Sequence, residues 1–207
     1  MQGGKMQMQN SIKKNIENRI RTARTDAVFV IADFIDIGDY ETVRKSLFRF
    51  EKEKFLRRIL PGVYDRPQYS ELLQEYTAPS MHQIAFALAR NYNWTISPSG
   101  DTALNQFGLS TQVTAKWSYI SDGPYRTFII GNSQIEFKHR NNKEISGMSY
   151  KTAMAIQALK ALGKERINDE IIYKLRMQLT EDEKSSLLQE SHASALWIYS
   201  AIKRICT

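Results

Sequence analysis

At 207 residues, 42% hydrophobic and 11% aromatic, the chain can bury one large or two small cores and does not read as disordered. Its formal charge is +7, from 14 Lys/Arg against 9 Asp/Glu over residues 1–70 and 15 against 13 over 71–207. The positive density therefore lies in the first third, which points toward an anionic partner there. Cys206 is the single cysteine, which excludes an intrachain disulfide and a cysteine-based zinc site and fits a cytoplasmic protein. Apolar runs such as Val28 to Ala32 fall far short of a membrane span, and no secretory signal precedes them.

Residues 1–9 are rich in Gln, Gly and Met and are expected to form an unstructured start outside the fold. Ile12, Ile16 and Ile20, spaced by four, predict a first helix whose other faces carry Lys13, Lys14, Arg19, Arg21 and Arg24. Val28 to Val30 reads as a short strand and Ala32 to Ile37 as a short helix stopped by Gly38. Asp39 is an N-cap candidate for a helix running to about Lys54, with Val43, Leu47 and Phe50 facing a core. Its outer side carries Glu41, Thr42, Lys45, Arg49 and Lys52. Phe55 to Ile59 and Val63-Tyr64 flank Leu60-Pro61-Gly62, where Pro then Gly fits the centre of a type II turn. Helix, turn, helix and basic hairpin together predict a winged helix over residues 10–67. Thr42, Arg44, Lys45 and Arg49 on its second helix, and Arg57 and Arg58 in its hairpin, are the candidate contacts to duplex DNA.

Residues 68–79 read as a linker with a short helix near Ser70 to Tyr76, and the domain boundary is expected near residue 78. Residues 80–207 then form a C-terminal domain. Ser80 caps a helix over Met81 to Arg90, Trp94 to Ile96 is strand-like, and Pro98-Ser99-Gly100 leads into a helix over Asp101 to Phe107. Val113 to Ile120, Tyr125 to Ile130 and Ser133 to Arg140 are strands separated by turn residues, which predicts an antiparallel meander. Terminal helices follow: Tyr150 to Leu162, then Asp169 to Leu179 capped by Asn168, then a long helix from the capping box Thr180/Glu183 to about Ile205. The expected class is α+β, an N-terminal winged helix followed by an α/β domain.

This order of elements resembles the AbiEi-type antitoxins of bacterial abortive-infection systems. The resemblance is carried by Pro61-Gly62-Val63-Tyr64, by Pro98-Ser99-Gly100 with Ala103, Asn105 and Gly108 to Val113, and by Ser121-Asp122-Gly123 followed by Ile135 to Lys138. It spans about residues 10–205. It implies an antitoxin that represses its own operon through the winged helix and opposes a nucleotidyltransferase-like toxin through the C-terminal domain, without requiring a stable complex. It carries no catalytic motif, no cofactor and no metal, so the only role it transfers is DNA contact, onto Thr42, Lys45, Arg49, Arg57 and Arg58.

Two other readings compete. Glu136-x-Lys138 has the acid-x-Lys spacing of metal-dependent nucleases, with Asp122 as an upstream acid for Mg²⁺. Alternating polar residues on a two-faced strand give the same spacing. The other is a protein-interaction module without chemistry. Ser99 or Asp101 reads as a helix cap rather than a phosphate site, and Trp94, Trp117 and Trp197 as core anchors. His82, His139 and His192 are too far apart to read as a metal cluster, while Lys138, His139, Arg140 and Lys143 form a small basic patch.

Overall fold

The computed structural model describes residues 2–112, 114–141, 145 and 147–207, with residues 2–10 as backbone alone. It is an α+β protein of two compact units, Met1–Asn93 and Trp94–Thr207. In the first unit, α1 (Gln2–Thr22) is followed by β1 (Val28–Val30), a 3-10 turn (Ile31–Phe34), α2 (Tyr40–Lys52), β2 (Arg57–Leu60) and β3 (Val63–Asp65). β3 pairs antiparallel with both β1 and β2, giving the sheet order β1-β3-β2. A small hairpin of β4 (Tyr69–Ser70) and β5 (Glu75–Tyr76) then leads to α3 (Met81–Tyr92).

The core of this unit joins Ile16 and Ile20 of α1, Phe29, Phe34, the α2 stripe Val43, Leu47 and Phe50, and Leu56 and Tyr64 of the hairpin. Each such side chain contributes roughly 1.5–3 kcal/mol by leaving water. Arg19 clamps α1 to the segment before α2, with two 2.7 Å hydrogen bonds to the Asp36 carboxylate and one to the Asp33 carbonyl.

Three expectations are corrected here. The start is helical from Gln2 rather than unstructured to residue 9. The expected helix near Ser70 to Tyr76 is a hairpin, turned by Gln74 at φ 53° and closed by the Tyr69–Tyr76 ring pair. The division falls after Asn93 rather than near 78, because α3 belongs to the first unit. Arg90 on α3 donates to both Asp33 carboxylate oxygens (2.7 and 3.1 Å) and to the Val28 carbonyl (2.9 Å).

The second unit opens with β6 (Ile96–Pro98), α4 (Asp101–Gln106), β7 (Lys116–Ser121), β8 (Arg126–Ile130) and β9 (Ser133–His139). β8 and β9 form the expected antiparallel hairpin, but β9 pairs parallel with β7, so the order is β6-β7-β9-β8 and not a meander. Burial explains the choice. Ile135 and Phe137 make β9 apolar enough for a central position, whereas β8, with Ile129 71% exposed, suits an edge. Trp94, Tyr119 and Phe128 pack their rings around Phe137.

α5 (Tyr150–Leu162), α6 (Asp169–Met177), α7 (Glu181–Glu190) and α8 (Leu196–Cys206) complete the chain. α5 is buried on several sides, and its Ala153, Ala155 and Ala158 allow close approach of neighbouring elements. The caps expected at Ser80, Asn168 and the Thr180/Glu183 box are all made. The expected single last helix is instead two. Ser191, fully buried, ends α7, the Ser194 N–H donates to its carbonyl, and Ala195 is extended before α8. No helix among the described residues is long and apolar enough to cross a membrane.

Candidate nucleic-acid interface

α2 owes its start to Asp39. The Thr42 N–H donates to Asp39 Oδ1 (3.0 Å) and the Thr42 hydroxyl to Oδ2 (2.8 Å). These bonds, the backbone one first, hold the Asp39 carboxyl below its usual pKa. The helix stops where Lys54 takes φ 58°. In between, Val43, Leu47 and Phe50 turn inward, so positions off that phase face solvent.

The candidate residues on α2 fall on two sides. Thr42, Lys45 and Arg49 join Ser46 around a shallow hollow of about 120 Å3. Lys45 and Arg49 are exposed, and neither has an ion-pair partner among the described residues. Arg44 lies on the other side, paired with Glu41 at 2.9 Å, on the stripe Tyr40–Arg44–Phe48. That stripe and the β2–β3 hairpin border a larger hollow of about 490 Å3, with Arg58, Gly62 and Tyr64 on the hairpin side.

The hairpin is built by its turn and its register. Gly62 holds φ 77°, the left-handed conformation that a type II turn after Pro61 requires. Arg57 sits opposite Asp65, and Arg58 opposite Tyr64. Consecutive strand residues face opposite ways, so the two arginines have different fates. The Arg57 guanidinium holds both oxygens of Asp65, which is only 6% exposed, and also donates to the Thr77 carbonyl (3.0 Å). Its charge is neutralised inside the unit, and it is not placed to grip a phosphate. Arg58 is exposed and has no ion-pair partner among the described residues.

The sequence reading missed the aromatic content of this surface. Tyr40 is 59% and Phe48 50% exposed, although both are large and apolar. Their spacing of four from Arg44, out of phase with Val43 and Leu47, was the available signal. Lys52 Nζ lies 5.3 Å from the Phe48 ring centroid. Tyr64 forms part of the same hollow. Burial raises its hydroxyl pKa, with Arg58 and Arg44 pulling the other way.

The acidic candidates of the second unit do not converge. Glu136 accepts from Lys116 (3.0 Å) and Lys138 (3.3 Å). Burial pushes its carboxyl pKa up, but these two ammonium groups outweigh it and leave it below the usual range. Asp122 instead accepts from the Thr95 N–H (2.8 Å). Among the described residues no group of three or more His, Cys, Asp or Glu is placed to hold a metal ion. His139 Nδ1 bonds the Gly123 carbonyl (2.9 Å), and Arg140 donates to the His139 carbonyl (2.8 Å). Ser99 is buried, and the cap position before α4 is Gly100, which has no side chain to accept, so neither Ser99 nor Asp101 caps the helix. Val113 and Lys143, named in the sequence reading, lie outside the described residues.

Residues 15–187 match the model of a family of unknown function, DUF6088, and the chain belongs to that family. No curated protein matches it.

Proposed function

We propose that this member of DUF6088 is a winged-helix protein that binds duplex DNA, represses its own operon and serves as the antitoxin of an abortive-infection-type system. The observation that carries the DNA-binding half is the order α1, β1, short helix, α2, β2, β3 with the sheet order β1-β3-β2. A capped helix with unpaired basic side chains stands beside a hairpin that presents Arg58, which suits a major groove and its flanking phosphates. Thr42, Lys45 and Arg49 are the residues proposed for base edges and Arg58 for phosphate. Arg57 positions the hairpin through Asp65, and Arg44, paired with Glu41, borders the contact surface. The antitoxin half, with a nucleotidyltransferase-like toxin as the opposed partner, rests on the resemblance to AbiEi-type proteins. A cytoplasmic location belongs to the same proposal.

The test is a gel-shift titration against the DNA upstream of the chain's own gene, beside an unrelated duplex, at two salt concentrations. Preferential binding that weakens with salt is expected, and Arg58→Gln should flatten the salt slope by about one. Arg49→Ala should cost about 1–3 kcal/mol and relax preference at one base pair. Equal binding to both duplexes would sink the repressor reading. An adjacent nucleotidyltransferase-like reading frame would support the toxin partner, and its absence would count against it.

The metal-dependent nuclease reading has less support. Glu136 is engaged by two lysines, and Asp122 is engaged by a backbone N–H instead of joining it.

A further inference from the structure

Tyr40 and Phe48 raise a physical question that duplex binding leaves open. Exposed rings on a helix that already buries Val43, Leu47 and Phe50 add nothing to the core of the unit. They stand four residues either side of Arg44, along one wall of a hollow of about 490 Å3. That size falls within the range of small-ligand sites, about 300–1,000 Å3. The opposite wall is the hairpin, with Arg58 and the buried Tyr64. Planar π faces beside an unpaired guanidinium match a planar base that carries a phosphate. A base inside a duplex cannot offer its face, so the fitting ligand is an unstacked one.

We infer that the hollow between α2 and the β2–β3 hairpin receives a single unpaired nucleotide of DNA. Its base stacks on Phe48 and Tyr40, and Arg58, which takes a backbone phosphate of the paired duplex, holds the phosphate of this nucleotide instead when one is displaced.

The geometry assigns further roles within the hollow. Arg44 is held by Glu41 at 2.9 Å, so it lends an ordered planar edge to the stack rather than a free charge. Arg58 has no such partner among the described residues, which leaves its donors for the phosphate. Asn91 of α3 also lines the hollow and offers an amide to a base edge. Gly62, with φ 77° and open space where a Cβ would stand, leaves the hairpin side clear. The separate hollow around Thr42, Lys45 and Arg49 remains for the duplex. The protein would thus hold a duplex and, beside it, a nucleotide displaced from the stack. This inference rests on the DNA-binding reading but makes a separate demand.

The test uses the full chain and fluorescence anisotropy with three versions of one labelled duplex. One is fully paired, one carries a single bulged thymidine, and one carries an abasic bulge at the same place. The bulged thymidine should bind about tenfold tighter than the other two. Phe48→Ala should abolish that preference and leave affinity for the paired duplex unchanged, while Phe48→Trp should retain it. Both changes lie at a half-exposed position, and a thermal melt would check folding. Equal affinity for the three duplexes, or a preference that survives Phe48→Ala combined with Tyr40→Ala, would overturn the inference while leaving duplex binding intact. No binding to any of the three would overturn the DNA-binding reading together with this one.

Discussion

In the first unit, Arg57 and Arg58 part company: one closes on buried Asp65, and the other stays exposed without an ion-pair partner among the described residues. In the second, Lys138, His139 and Arg140 all turn back onto their own unit, to Glu136, to the Gly123 carbonyl and to the His139 carbonyl. The two runs look alike in sequence, yet only the first contributes an unpaired guanidinium to a concave surface. Local density of basic residues therefore overstates available charge. What decides availability is which acid or carbonyl the sheet register brings opposite each residue.

The sharpest way to break this comparison is to remove the two arginines one at a time. Arg57→Ala leaves Asp65 buried and unpaired, and should destabilise the first unit by about 3 kcal/mol, the low end for a broken buried pair because Arg57 is itself a third exposed. Arg58→Ala should change stability by no more than about 0.5 kcal/mol. Urea melts of the two variants measure both, and equal shifts would dissolve the distinction.

A smaller effect probes the second unit, whose sheet depends on close aromatic packing. A Cβ at Gly123 would collide with the Trp94 indole, which packs edge-on against Phe137 at 5.5 Å. Gly123→Ala should cost about 2 kcal/mol in a thermal melt. An unshifted melting temperature would mean that this corner is looser than the contact implies.

The smallest effect is a pH dependence at the start of α2. The folded state lowers the pKa of Asp39, so the stability this carboxylate supplies is present above its unfolded value and is lost as pH falls below about 4. Asp39→Asn keeps an oxygen for the Thr42 N–H and should remove that acid sensitivity from the helicity of α2, whereas Asp39→Ala should weaken the helix at neutral pH as well. Identical acid titrations for Asp39→Asn and the parent chain would assign the sensitivity elsewhere.

Features set by near neighbours in sequence were legible. Asp39, Ser80, Asn168 and Thr180 all cap the helices that follow them, because a cap needs only a side-chain oxygen and an N–H three residues on. Pro61-Gly62 forms the turn it suggests for the same reason. Features set by distant partners were not. The engagement of Arg57 depends on Asp65 and Thr77, the inclusion of α3 in the first unit depends on Arg90 reaching Asp33, and the break before α8 depends on burial of Ser191. The candidate site was half legible. The exposure of Lys45 and Arg49 follows from the helical phase of Val43, Leu47 and Phe50, whereas the exposed Tyr40–Phe48 stripe beside the hairpin, with Arg44 paired to Glu41 on it, depends on where the hairpin packs.

The position of β9 also bears on how the second unit acquires its structure. A meander closes one neighbouring strand at a time, each pairing a few residues from the last. Here β9 must come to rest between β7 and β8, although β8 precedes it in the chain. The β8–β9 pairing is a local hairpin, a kind of element that forms in microseconds, whereas the parallel β7–β9 pairing joins strands separated by β8. Such non-local docking costs chain entropy before it gains contacts, so it is expected to be the slowest step in forming the sheet. Until it is complete, the apolar edge of β9 stands uncovered, and a nascent chain would be most open to misassociation during that interval.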